Sequence, residues 1–319
     1  MAVARPSVGL GRGVVLTRRN VPGSHHYGES RGALPRRDGE EEREVSRLGP
    51  IPALMLLCVV PVTRGDYTNN IMLTGYWPVT NDMIRPFSTN PEQNPDGWIG
   101  DDWEKRGYDI HSFFPEFTDE NWPIGEGDFE IDYQDTSADF WRIVDQLDPI
   151  AIVTFSRGVP GRRDWEIEML QRNLEEWIND YREPFQPTPS PPDDSVPPGY
   201  IRVSSLPVVD IMEAVNAAEL GVNAWIDDDG FGGGFLSEFI AYHGTWYHDL
   251  HADENDPTWN IAGGHIHVGG RVTLEQGILA TEITLRELTD YLDEVVPEPT
   301  SGLLLLAALA TVPRRARAA

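Results

Sequence analysis

The chain of 319 residues reads as one three-layer α/β domain, a mostly parallel central sheet flanked by helices. Short β-branched or apolar runs bounded by turn residues alternate with amphipathic stretches of 10–20 residues, the pattern of a parallel sheet with helical crossovers. No internal repeat interrupts this alternation, and the length supplies ample chain for a buried core.

The strand-like runs are Asn70–Gly75, Tyr108–Phe114, Ile150–Phe155, Tyr200–Val203, Asn223–Ile226 and His265–Val268. Among the helical stretches, Thr136–Leu147 places Phe140, Val144 and Leu147 on one face. Asp164–Tyr181 carries Ile167, Leu170, Leu174 and Trp177 at helical spacing, which predicts a helix and puts Glu168 on it. Pro207–Leu220 opens with a proline suited to a first turn and stops before Gly221. Phe235–Leu250 and Thr273–Val295 complete the set, and the Pro-rich stretch Glu183–Pro198 reads as a surface excursion.

Charge narrows the function. The composition gives 25 Lys+Arg against 52 Asp+Glu, a formal −27. Nine arginines lie in residues 1–49 and three in the last six, so residues 50–313 hold 13 basic against 46 acidic groups. A surface this acidic repels phosphate backbones and anionic lipid, which argues against nucleic-acid partners. The single cysteine, Cys58, lies in the apolar run Ile51–Val62. An intrachain disulfide and a Cys-x-x-Cys metal site are thereby excluded, as is a thiol nucleophile within the folded body.

The two ends read as addresses. Residues 1–49, rich in Arg, Gly and Pro, read as disordered or as sequence upstream of the true start. Residues 50–65 combine a basic flank, the apolar run and a small-residue exit, the layout of a secretory signal. At the other end, Val296-Pro-Glu-Pro-Thr-Ser301 leads into the apolar run Gly302–Val312 and then Pro313-Arg-Arg-Ala-Arg. This order of parts in 297–319 resembles the PEP-CTERM sorting signal of Gram-negative bacteria. The resemblance implies export, an exosortase-type processing partner and an envelope or extracellular location. Neither apolar run approaches the ~20 residues a membrane-spanning helix needs, so no stable span is expected after processing. The mature body then covers 66–296.

Three constellations in the body carry chemistry. Gly230, Gly232, Gly233 and Gly234 precede a helix but lack a P-loop ending and the dinucleotide spacing. A glycine turn opening a helix still offers backbone N–H groups to an oxyanion, and the residue placed in that first turn is Ser237. Its bland alternative is a serine that merely lines a helix start. Five of eight histidines fall late, at 243, 248, 251, 265 and 267, with His265 and His267 on one face of a strand. With Asp227, Asp228 and Asp229 they could group around a divalent metal, although His243, His248 and His251 fit a solvated helix side nearly as well. Glu168, taken alone, is an ordinary solvated carboxylate.

Read in order, Ile71 to Leu292 resembles the pyroglutamyl-peptidase I (pyrrolidone-carboxylate peptidase) family, cysteine peptidases of α/β fold. Thr74-Gly75-Tyr76-Trp77-Pro78 is similar to the family's opening Thr-Gly-Phe-x-Pro, and Asn90-Pro91 to its Asn-Pro. Asp148-Pro149 resembles its Pro-Asp with the order reversed. Gly161-Arg162, Glu168 and Asn173 reproduce the spacing of its Gly-Arg…Glu…Asn element. Ser205-Leu206-Pro207 and His265-Ile266-His267-Val268 resemble its Thr-Leu-Pro and Phe-Ile-His-Val.

The resemblance places Glu168 and His267 on the catalytic Glu and His, and Ser237 on the catalytic Cys. It assigns Tyr76, Trp77, Val79 and Asn90 to substrate binding, with Val79 replacing an aromatic, and Gly233 and Gly234 to the oxyanion turn. It implies no cofactor and no metal, and a peptide or small-molecule substrate. Two departures matter: a serine hydroxyl is harder to deprotonate than a thiol, and Val79 alters the ring-binding wall. The expected function is therefore hydrolysis of an N-terminal pyroglutamyl or related amide bond by Ser237, His267 and Glu168. The alternative is a catalytically inactive envelope binding module using a cleft lined by Tyr76, Trp77 and Trp165. A metal-dependent hydrolase built on His265, His267 and Asp227–Asp229 is the third reading.

Overall fold

The computed structural model describes residues 67–230 and 232–296, so the expectations for residues 1–49, 50–65 and 297–319 lie outside the described residues. The chain runs β1 (Asn70–Thr74), α1 (Pro78–Ile84), β2 (Asp109–Phe113), β3 (Pro115–Glu116), β4 (Glu126–Gly127), α2 (Tyr133–Leu147) and β5 (Ala151–Arg157). It continues with β6 (Asp164–Glu168), β7 (Leu170–Arg172), β8 (Ile201–Val203), α3 (Val208–Ala217), β9 (Asn223–Asp227), α4 (Leu236–Leu250), β10 (Ala262–Val268) and α5 (Leu274–Val295).

Six strands form the main sheet in the order β2-β1-β5-β10-β6-β9, with two small pairs, β3-β4 and β7-β8, outside it. Every neighbouring pair in the main sheet is parallel except β10 with β6. The predicted architecture, a mostly parallel sheet between helical layers, is the observed one.

Alternation along the strands divides the core in two. Ile71 and Leu73 of β1 pack with Met83 of α1, Ile211 of α3 and Leu285 of α5. Met72 and Ile152 face the opposite way, into Tyr133 and Phe140 of α2 and Phe239 of α4. On β10, Ala262, Ile266 and Val268 take the first face, which leaves His265 and His267 on the face carrying α4. That face admits α4 closely: a Cβ on Gly263 would come 2.7 Å from the Gly244 carbonyl oxygen of α4.

One predicted element is wrong. Residues 164–181 are not helical but form β6, β7 and an irregular segment. Asp-Trp-Glu-Ile-Glu alternates with period two, and Trp165 and Ile167 are both fully buried in one core. The helical spacing of Ile167, Leu170 and Leu174 is coincidental, because each belongs to a different irregular or extended piece. Trp165 is therefore a core residue whose Nε1 donates to Thr284 Oγ1 (3.2 Å), not a cleft wall. The short helix α1, with Trp77 at its N-cap and Pro78 in its first turn, went unpredicted.

His243 also departs from the expectation of a solvated helix side. It is wholly buried among Phe140, Trp141, Phe239 and Trp246, with its ring nitrogens at Phe239 O (2.7 Å) and Ser137 Oγ (3.1 Å). The Pro-rich excursion is surface-lying over much of its length, but Asp193 is fully buried from it, bonded to Arg202 Nη2 (2.7 Å) and the Tyr242 hydroxyl (2.8 Å).

Candidate active site

Strand registry assembles the site. On the α4 face of the sheet, Thr154, His265, Glu168 and Asp227 form one cross-strand row, and Ser156, His267, Glu166 and Trp225 form the next. Both rows lie at the carboxyl ends of the parallel strands β5, β10 and β9. Open α/β sheets place their ligands in the crevice outside those ends, where the strand order reverses. Here the reversal falls between β1 and β5, since the chain leaves β1 for β2 on one side and β5 pairs on the other.

Glu168 and His267 belong to adjacent rows and meet diagonally. His267 Nδ1 stands 2.9 Å from Glu168 Oε1, and both side chains are buried. Among the described residues no other donor reaches either Glu168 oxygen, so His267 is the group that faces this buried carboxylate. Burial opposes a charged His267 ring, but the Glu168 carboxylate, with Glu166 and Asp227 behind it, outweighs that and raises its pKa. Burial raises the pKa of Glu166, which the His267 charge counters in part.

His265 plays a different part. Its Nδ1 lies 2.7 Å from Thr154 Oγ1 and its Nε2 2.8 Å from Ser156 Oγ. Burial, then the neighbouring His267 charge, hold its pKa well below the ordinary value, so it is neutral. Its ring stands edge-on to that of His267, with centroids 4.7 Å apart. Glu168, His265 and His267 bring three ligand-type atoms within 4.8 Å of one another. A metal there would have to displace a hydroxyl from His265, because both of its nitrogens are already engaged. Of the acidic run 227–229, Asp227 adjoins the cluster through its register with Glu168, and its Oδ1 accepts the Asp229 N–H (3.0 Å).

Ser237 sits in the first turn of α4, whose N-cap is Phe235. Its Oγ donates to Gly232 O at 2.9 Å. Gly232 packs directly on the acid: a Cβ there would come within 3.3 Å of both Glu168 oxygens. Gly233 and Gly234 have φ of +91° and +69°, values that favour glycine. The Gly234 N–H is taken up by Glu238 Oε2 (2.9 Å), and Glu238 is in turn clamped by Arg172 at 2.7 and 2.9 Å. That carboxylate fixes the glycine turn from beneath, so the Gly234 amide is engaged and not open to an oxyanion.

A cleft of about 300 Å³ opens beside this turn. Ser156, Arg157, Leu236 and Ser237 line it from the sheet end and α4, and Tyr76 and Trp77 from the loop after β1. Phe117, Trp122, Tyr181 and Phe235 add aromatic walls. The Tyr76–Trp77 turn is set by α1: Tyr76 N and Trp77 N donate to Thr80 Oγ1 (3.1 and 3.2 Å), and Trp77 N also to Asn81 Oδ1 (3.1 Å). Gly75 is required at this turn, because a Cβ would come 2.6 Å from Asn81 Oδ1. The Tyr76 hydroxyl donates to Thr136 Oγ1 (3.0 Å), and burial raises its pKa.

The residues singled out in the sequence therefore divide. Tyr76, Trp77 and Ser237 share the cleft, and Glu168 pairs with His267 on the adjoining rows. Val79 lies half-buried on α1, and Asn90 sits at an exposed turn where its Oδ1 accepts Glu92 N (3.0 Å); neither lines the cleft. Ser156 and Arg157 were missed. Their signal was position alone, the last two residues of the central strand β5.

Comparison with solved structures places this fold among the pyrrolidone carboxyl peptidases. The pyrrolidone carboxyl peptidase of Thermococcus litoralis superposes with a TM-score of 0.50 at 15% identity, covering 70% of this chain and 95% of that one. The pyroglutamyl peptidase I of Bacillus amyloliquefaciens gives a TM-score of 0.49 at 16% identity, covering 69% and 97%. No protein-family model and no curated protein matches the sequence.

Proposed function

We propose that this chain is a hydrolase of an amide bond at a pyroglutamyl or related N-terminal residue, with Ser237 as nucleophile, His267 as general base and Glu168 as the carboxylate that orients it. The observation that carries this reading is the buried 2.9 Å contact of Glu168 with His267 Nδ1 beside the cleft that Ser237 lines. With Nδ1 turned to the acid, Nε2 is the nitrogen left to take a proton. Ser237 Oγ would attack the carbonyl carbon while its proton passes to His267 Nε2. The resulting imidazolium, stabilised by Glu168, returns that proton to the departing amine. Water, deprotonated by the same nitrogen, then releases the acid from the seryl ester. The N–H groups of the first turn of α4, which lack intrahelical partners, would serve as donors to the oxyanion. The fold likeness to the pyrrolidone carboxyl peptidase of Thermococcus litoralis supports this class of chemistry by analogy.

For this to operate, Ser237 must turn its hydroxyl away from Gly232 O. That same bond favours a second reading, a binding module in which the nucleophile position is locked. Hydrolysis of a pyroglutamyl-linked fluorogenic amide by the full chain separates the two, measured beside Ser237→Ala, Ser237→Cys and His267→Ala. The proposal expects turnover in the parent that both alanine variants abolish. An inactive parent with an active Ser237→Cys variant assigns the chain to binding. Export through the residues flanking the body belongs to the same proposal, and secretion of a tagged full chain from a Gram-negative host tests it. Among the described residues no helix is long and apolar enough to cross a membrane.

A further inference from the structure

Arg157 closes β5 and stands exposed at the cleft. It is the one charged side chain among the residues lining that cleft. Most described arginines are clamped by carboxylates: Arg85 by Asp82 and Glu116, Arg106 by Asp290 and Asp293, Arg202 by Asp193 and Asp249. Arg157 has no carboxylate partner among the described residues, in a body where acids outnumber bases by more than three to one. It lies instead over the Trp77 ring, with its guanidinium carbon 5.2 Å from the centroid. Trp77 itself carries a buried Nε1–H with no hydrogen-bond partner.

We propose that Arg157 anchors a substrate carboxylate, so that the cleft selects a short peptide or acylated amino acid with a free carboxylate beside an apolar or aromatic side chain. The inference rests on reading this cleft as the substrate cleft. A guanidinium offers two parallel N–H donors to a carboxylate, and stacking on an indole holds its plane before the ligand arrives. Aromatic walls at Phe117, Trp122 and Tyr181 offer the apolar surface that would accept the side chain. The body's excess of acidic groups repels anions, and Arg157 is the one cation among the residues that line this cleft.

The test is calorimetric titration of the full-length Ser237→Ala chain with pyroglutamyl-phenylalanine and with its C-terminal carboxamide. The acid should bind about tenfold tighter than the amide, the size of one charge-assisted contact. Arg157→Gln should bring that ratio to about one, and Arg157→Lys, which keeps the charge without the fork, should leave it in between. Equal binding of acid and amide overturns the proposal, as does a ratio that survives in Arg157→Gln or the binding of neither probe. The fluorogenic amide used to test hydrolysis has no carboxylate, so its turnover is decided separately from this ratio.

Discussion

Glu168 and His267 stand on antiparallel neighbours, one row apart, with 2.9 Å between Oε1 and Nδ1. The diagonal exists because β6 runs against β10, so Glu168 lies opposite His265 and reaches His267 across the pleat. A parallel β6 would place the acid differently. Two buried ionisable groups thus face one another at the one antiparallel pairing of the main sheet.

The His267 ring should titrate above its ordinary 6.5, because three carboxylates outweigh its burial. In Glu168→Gln the nearest of them is gone and burial should dominate, moving the titration downward. Histidine-selective NMR across pH 4–9 measures this without any substrate. A ring that titrates unchanged in the variant would remove the coupling. The raised value also means that the pair stabilises the fold below the unfolded pKa and that this contribution is lost as pH climbs through the folded one.

His243 behaves oppositely. Burial pushes its pKa down to about 4 from 6.5, so the folded protein excludes a proton that the unfolded chain binds between those values. Stability from this group is complete above the unfolded pKa and falls as pH drops toward 4, by on the order of 3 kcal/mol. Urea midpoints at pH 7 and pH 5 should differ more in the parent than in His243→Gln. An equal pH dependence in the two would refute the assignment.

Glu238 is buried against Arg172 and holds the Gly234 amide. Arg172→Met would leave that carboxylate in the interior without its cation, at a cost of about 3–5 kcal/mol. Chemical denaturation gives the number directly. A loss under about 1 kcal/mol would show that the pair is solvated, as surface pairs are.

Gly263 allows α4 to settle on β10, and a methyl group there would meet the Gly244 carbonyl at 2.7 Å. Backbone cannot swing aside as a side chain does, so Gly263→Ala should destabilise by about 1–3 kcal/mol. It should also shift the first turn of α4 relative to His267. Thermal unfolding checks the first effect and the His267 NMR signal the second. An unperturbed melting temperature would mean that the helix rides freely over the strand.

The apolar runs at Asn70, Ile150 and His265 and the amphipathic helices from residues 136, 207, 235 and 273 are visible in the sequence. Burial on both faces of a parallel sheet demands continuous apolar residues, and helices that cover it need one apolar stripe. The period-two placement of His265 and His267 on one face was equally legible. β6 was not, because five residues of Asp-Trp-Glu-Ile-Glu satisfy a strand pattern and, with their neighbours, a helical one. Only the packing of Trp165 and Ile167 into the core decides between them. Glu168 was singled out by spacing within a resemblance, and its placement opposite His265 follows from long-range pairing that no local pattern encodes. Arg157 is the clearest case of what tertiary structure decides. In the sequence it is one arginine among many, and its meaning arises where strand order reverses and brings Trp77 beneath it. Local periodicity is set by neighbours a few residues away, whereas a site is assembled from strands whose order depends on the energy of the whole sheet.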